Sequence, residues 1–93
     1  MELKGKGAVV TGGAMGIGLA TSKRLVREGC AVTLWDLNAP ALEGAKKELE
    51  AMGGKVFAHV CDVTDKARVY ELAKTAAAEM GRVDILINNA GYV

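Results

Sequence analysis

The hydrophobic positions of this chain alternate between continuous runs and helically spaced stripes, with glycine at most of the changes. Residues 7–12 (Gly-Ala-Val-Val-Thr-Gly) are a short apolar run that stops on glycine, which predicts a first strand. Residues 17–28 follow with Ile17, Ala20 and Leu25 at helical spacing and Gly29 as a stop signal. Residues 31–35 (Ala-Val-Thr-Leu-Trp) are β-branched and apolar on both faces, a second strand. A second helix is predicted over residues 40–52, with Leu42, Ala45, Leu49 and Met52 on one side and Gly53-Gly54 closing it. Residues 56–61 form a third strand. Thr64 is positioned to cap a third helix whose stripe is Val69, Leu72, Ala73, Ala76 and Met80, closed by Gly81. Residues 83–87 are a fourth strand.

The order β-α-β-α-β-α-β, with strands built on continuous apolar runs, predicts a parallel sheet covered on both faces. This is an α/β, Rossmann-like half of a doubly wound fold, a single unit over residues 1–93. Right-handed crossovers place the first two helices on one face. A strand order of 3-2-1-4 sends the third helix to the other face and puts the switch point between strands one and four. Ligands of such sheets lie at the carboxyl ends of the strands. That rule selects residues 11–18, Asp36, Asp62 with Val63, and residues 88–91 as candidate site residues.

Composition narrows the field. Ninety-three residues leave little room for both a cofactor site and a substrate site. A net charge of +1, without a basic stripe, argues against a nucleic-acid partner. No apolar run is long enough for a bilayer, and residues 1–6 lack the apolar stretch of a secretory signal, so a cytoplasmic protein is expected. Cys30 and Cys61 fall at opposite ends of parallel strands and are read as small core residues, not a bridge. His59 has no cluster of metal-ligand side chains around it in sequence, and no metal is expected.

The turn Thr11-Gly12-Gly13-Ala14-Met15-Gly16-Ile17-Gly18 joins the first strand to the first helix. Glycines there permit a tight turn and leave the positive end of the helix open to a diphosphate. The spacing Gly-x-x-x-Gly-x-Gly is neither Gly-x-Gly-x-x-Gly nor a Walker A loop, which needs Lys-Ser/Thr after its last glycine. Taken alone it is also compatible with a plain turn. Asp36 adds a second signal, a carboxylate ending strand two about 20 residues on, placed to accept the hydroxyls of an adenosine ribose. No Arg or Lys stands in the turn or directly after Asp36. A 2′-phosphate would meet an unpaired carboxylate, so NAD is favoured over NADP.

Together with Cys61-Asp62-Val63-Thr64 after strand three and Asn88-Asn89-Ala90-Gly91 after strand four, these motifs resemble the N-terminal half of the short-chain dehydrogenase/reductase family. The resemblance covers the whole chain. It implies that Gly12, Met15, Gly16, Ile17 and Gly18 wrap the diphosphate, and that Asp36 holds the adenosine ribose with Leu37 beside it. It also implies that the Asp62 side chain and the Val63 backbone meet the adenine edge. Asn89, Ala90 and Gly91 would line the floor under the nicotinamide side, and Thr11 would brace the turn against strand four.

By the same resemblance the complete protein is a homo-oligomeric oxidoreductase that moves a hydride between NAD(H) and an alcohol or carbonyl substrate. The family's Tyr-x-x-x-Lys pair and upstream serine would lie beyond residue 93, so no catalytic residue is expected within this stretch. Tyr70 and Lys74 have the right spacing, but they lie on the third helix, ahead of the Asn-Asn-Ala-Gly segment. The competing reading is a non-catalytic nucleotide-binding or interaction module. An extended sugar-nucleotide relative would be expected to carry Gly-x-x-Gly-x-x-Gly instead. Without further helices, the apolar side chains of strands one and four on the third-helix face are expected to be exposed.

Overall fold

A computed structural model describes residues 2–89. Strand and helix alternate as β1 (Gly7–Thr11), α1 (Gly16–Arg27), β2 (Ala31–Asp36), α2 (Ala39–Ala51), β3 (Val56–Val60), α3 (Lys66–Met80) and β4 (Ile85–Asn88). The strands pair in parallel in the order β3-β2-β1-β4, as the Rossmann-like reading requires. Register aligns Thr11 with both Trp35 and Asn88, and Asp36 with Val60. The carboxyl ends of all four strands therefore finish at one level.

β1 is buried along its length and β2 nearly so, which is why both read as unbroken apolar runs. One face carries Ala8, Val10, Val32 and Leu34 against Leu25 and Val26 of α1 and Leu42, Ala45 and Leu49 of α2. The other face packs Val9 and Trp35 against Leu72, Ala76 and Met80 of α3. This split follows from right-handed crossovers. Val10, Val32, Leu34 and Leu49 are fully buried, each worth roughly 1.5–3 kcal/mol of transfer free energy. Cys30 and Cys61 are buried free thiols, and burial pushes both upward from the ordinary thiol range.

Local boundaries depart from the sequence pattern in instructive ways. The buried stripe of α1 is Gly18, Ser22, Leu25 and Val26, not Ile17 and Ala20. Ile17 is 76% exposed and Ala20 is exposed as well. The helix lies on its smallest side chains, and the buried Ser22 hydroxyl is satisfied by donating to the Gly18 carbonyl at 2.8 Å. α2 starts at Ala39 because Asn38 caps it, accepting the Ala41 N–H at 3.0 Å. Met52 is its C-cap and is exposed. α3 is capped by Asp65, which accepts the Arg68 N–H at 3.1 Å, and not by Thr64. Thr64 instead donates through its amide and hydroxyl to Asp62. Ala73 is exposed, on the rim of the α3 packing.

β4 begins at Ile85, two residues later than the apolar run suggests, although the Asp84 amide already donates to the Gly7 carbonyl of β1 at 2.8 Å. The Asp84 carboxylate accepts the Gly7 N–H at 3.0 Å and two donors from Arg82, Nε at 2.6 Å and Nη2 at 2.8 Å. The Arg82 guanidinium and then the Gly7 amide hold the Asp84 carboxyl down to about 2, from an ordinary 3.8. A depressed carboxyl stabilises the fold fully above its unfolded value and stops doing so as pH falls through the folded one. Asp84→Asn is therefore expected to flatten the loss of stability between about pH 4 and pH 2, read by urea unfolding at stepped pH. An unchanged acid limb would show that the pin between β1 and β4 contributes nothing.

Candidate dinucleotide site

The turn between β1 and α1 is shaped by its glycines. Gly12 and Gly16 have φ of +64° and +57°, left-handed conformations that side chains with a Cβ rarely adopt. A Cβ on Gly13 would stand 2.8 Å from Leu34 Cδ2 and 2.9 Å from the Val10 carbonyl oxygen, and one on Gly18 would collide with the Gly12 carbonyl. The chain is folded back on itself here as closely as backbone allows. The Gly12 N–H donates to the Trp35 carbonyl at 2.7 Å and so anchors the turn on β2.

α1 then opens at Gly16 with Met15 as an extended N-cap that makes no side-chain cap bond. There is no acidic residue in its first turn, and Arg24 and Arg27 lie in its last. The positive end of the helix dipole is thus left for an external anion. Open space surrounds Gly16, so a ligand can reach the backbone. Met15, Ile17 and Leu37 are exposed apolar side chains around this mouth.

Asp36 closes β2 beside the turn. Its Oδ2 accepts the Ala14 N–H at 3.2 Å and its Oδ1 accepts the Asn38 N–H at 3.1 Å. Across the switch point, the Thr11 hydroxyl lies 3.1 Å from Asn88 Oδ1 and 3.4 Å from the Ile87 carbonyl, either of which can accept its proton. The same oxygen accepts the Asn89 N–H at 3.0 Å. Thr11 thus ties the end of β4 to the end of β1, where the turn begins, the brace that the family resemblance implies. The Asn89 amide reaches the Gly18 position, since a Cβ there would sit 2.8 Å from Asn89 Nδ2.

Asp62 lies in the loop after β3, accepting the Thr64 hydroxyl at 2.6 Å and the Thr64 amide at 2.9 Å. The Thr64 hydroxyl, then its amide, hold the Asp62 carboxyl below the usual range. Val63 lines a hollow of about 190 Å³ with Thr11, Trp35, Val69, Leu86 and Asn88. Glycine turn, Asp36, Asp62-Val63 and Asn89 all stand at strand carboxyl ends; Ala90 and Gly91 lie outside the described residues. Gly13, Ala14 and Asn88 fall within the strand-end candidates, but the family resemblance gives none of them a contact of its own. Only the Gly-Gly pair could have flagged Gly13, and nothing in the sequence marks a backbone donor such as Ala14.

The remaining candidates stand elsewhere. Tyr70 is 67% exposed on α3, and Lys74 Nζ rests 4.8 Å from its ring centroid, a surface cation–π pair. His59 pairs with Glu79 across 2.9 Å, and no group of three metal-ligating side chains occurs among the described residues. No helix among the described residues is long and apolar enough to cross a membrane.

The chain matches the short chain dehydrogenase family over residues 6–93. It belongs to that family. It is 48% identical over 93 residues to 1-deoxy-11-beta-hydroxypentalenate dehydrogenase of Streptomyces avermitilis, covering 100% of this chain and 34% of that protein. It is 40% identical over 91 residues to the 3-oxoacyl-(acyl-carrier-protein) reductase FabG of Thermotoga maritima, covering 98% and 37% respectively. Among solved structures, an NAD+-bound xylitol dehydrogenase superposes with a TM-score of 0.94 at 40% identity, over 99% of this chain and 35% of that one. The chain thus spans about a third of the length of these relatives.

Proposed function

We propose that this chain is the NAD(H)-binding portion of a cytoplasmic, homo-oligomeric oxidoreductase acting on an alcohol or carbonyl substrate. The observation that carries the reading is the Asp36 carboxylate fixed beside the glycine turn, with no Lys or Arg in residues 11–18 or directly after Asp36. Gly12, Met15, Gly16, Ile17 and Gly18 wrap the diphosphate, whose charge suits the open end of α1. Asp36 accepts the adenosine ribose hydroxyls, with Leu37 alongside. Asp62 and the Val63 backbone meet the adenine edge, and Asn89, Ala90 and Gly91 form the floor toward the nicotinamide. The bound cofactor supplies the hydride donor or acceptor. These residues bind and orient it, and none of them is assigned a proton-transfer role.

The NAD+ of the xylitol dehydrogenase neighbour and the NAD of a Burkholderia phymatum short-chain dehydrogenase, which superposes at a TM-score of 0.89, support the choice of cofactor. Discrimination against NADP rests on repulsion between a 2′-phosphate and a carboxylate with no Lys or Arg in the glycine turn or directly after Asp36 in sequence. Calorimetric titration of the complete protein is expected to give NAD(H) at least about tenfold tighter than NADP(H). Equal affinities would sink the Asp36 argument.

A further inference from the structure

Both oxygens of Asp36 are already engaged by backbone. The donors come from different segments: Ala14 lies in the glycine turn, 22 residues earlier, and Asn38 opens the approach to α2. A carboxylate offers about four acceptor positions, so each oxygen retains one for a ligand hydroxyl. Held at two points, the side chain cannot swing away from an incoming group. The turn is fastened to β2 by the Gly12 N–H on the Trp35 carbonyl and by the Ala14 N–H on Asp36. The first bond fixes where the turn leaves β1. The second fixes its middle, just before the chain enters α1.

We propose that Asp36 is a positioning residue for the glycine turn as well as the ribose acceptor, holding Ala14 so that the start of α1 faces the ligand's phosphates before the ligand arrives. The ligand half of this statement rests on the proposed NAD(H) function; the brace does not. Ala14 is itself buried, so its backbone has little room to find another position once docked. Cofactor discrimination and diphosphate grip thus share one side chain, and a substitution meant to change the first disturbs the second.

Electrostatics makes the idea testable by sign. Asp36 is a negative charge beside an anion site, so on Coulomb grounds alone its removal tightens anion binding. Removal of a brace loosens it. Inorganic pyrophosphate has no ribose and therefore reads the turn alone.

The experiment compares the full chain with Asp36→Ala and with the isosteric Asp36→Asn, by amide hydrogen exchange without ligand and by calorimetric titration with inorganic pyrophosphate. Exchange at the Ala14 amide is expected to rise about tenfold in Asp36→Ala, the size of one hydrogen bond to a charged group, with β1 and β2 amides unchanged. Pyrophosphate affinity is expected to fall several-fold. Asp36→Asn, with one acceptor oxygen left, is expected to fall between the two. Unchanged exchange at Ala14, or pyrophosphate bound as tightly or more tightly by both variants, overturns the brace and leaves Asp36 as a ribose acceptor only. If the unsubstituted chain binds neither pyrophosphate nor NAD(H), the proposed function fails instead, and the exchange arm alone decides the brace.

Discussion

Gly18→Ala is expected to destabilise the chain by about 3 kcal/mol, the upper end of the cost of overpacking, although it adds only one methyl group. The added Cβ would run into the Gly12 carbonyl and stand 2.8 Å from Asn89 Nδ2. The Gly12 carbonyl is backbone and cannot step aside cheaply, whereas the Asn89 side chain can turn away. Gly12 is held in a left-handed conformation with its N–H on the Trp35 carbonyl, and the Asn89 backbone is tied to the Thr11 hydroxyl. A retreat of α1 would also unseat Leu25 and Val26 from the sheet. For a chain of this size the midpoint of thermal unfolding should drop by more than about 10 °C, and the proposed NAD(H) binding should be lost with it.

Gly44→Ala supplies the contrast. Gly44 lies within α2, a Cβ there meets nothing within 4 Å, and alanine is the better helix former by roughly 0.5–1 kcal/mol. That variant should melt a few degrees higher than the parent. Similar melting shifts for the two substitutions would show that the close approach at Gly18 carries no energetic weight.

The same position shows where sequence reading succeeds and where it stops. The runs of β1 and β2 are legible because both faces are buried, so every residue carries the signal. α1 is harder to read, since its buried stripe contains Gly18 and Ser22, which a hydrophobic pattern does not register. Ile17, the most apolar residue at its start, points outward near the proposed diphosphate site. Two adjacent residues able to cap α3, Thr64 and Asp65, defeat a boundary assignment by residue type alone. Only the geometry shows that Thr64 is occupied with Asp62.

At the site itself, the glycines, Asp36 and the Asp62-Val63 pair were visible as motifs at the ends of successive strands. The bonds that join them were not. Ala14 and Asn38 act through main-chain amides, which every residue but proline possesses, so no letter in the sequence announces them. The brace at Thr11 comes from the family resemblance alone, and the structure gives its hydroxyl to the end of β4.

The second large effect concerns the face over α3 and β4. Val9 and Trp35 form the floor of an apolar hollow of about 260 Å³, walled by Val69, Ala73, Ala77, Val83 and Leu86. Leu86 is 64% exposed, and the indole N–H of Trp35 is buried beside it without an acceptor among the described residues. The two edges of the four-stranded sheet differ. At β3 the Val60 carbonyl accepts Arg68 Nη2 at 3.3 Å, and His59 is held by Glu79, so polar groups dress that edge. β4, with β1 as its neighbour in the sheet, exposes Leu86, while Ile85 and Ile87 pack against the core on the α1 and α2 face.

An apolar strand at a sheet edge, next to an apolar hollow, is a surface that pairs with another chain. Produced as these 93 residues alone, the protein is therefore expected to sediment above its monomer mass of 9.7 kDa. Leu86→Lys removes about 1.5–3 kcal/mol of burial from each side of such a pairing and places a charge where strands would meet. In a symmetric pair that loss counts twice, so association should weaken by at least about 100-fold and return the chain to monomer. Val60→Lys, on the opposite edge, should leave association unchanged. A monomeric parent chain, or equal effects of the two substitutions, would rule out β4 and its hollow as the adhesive surface.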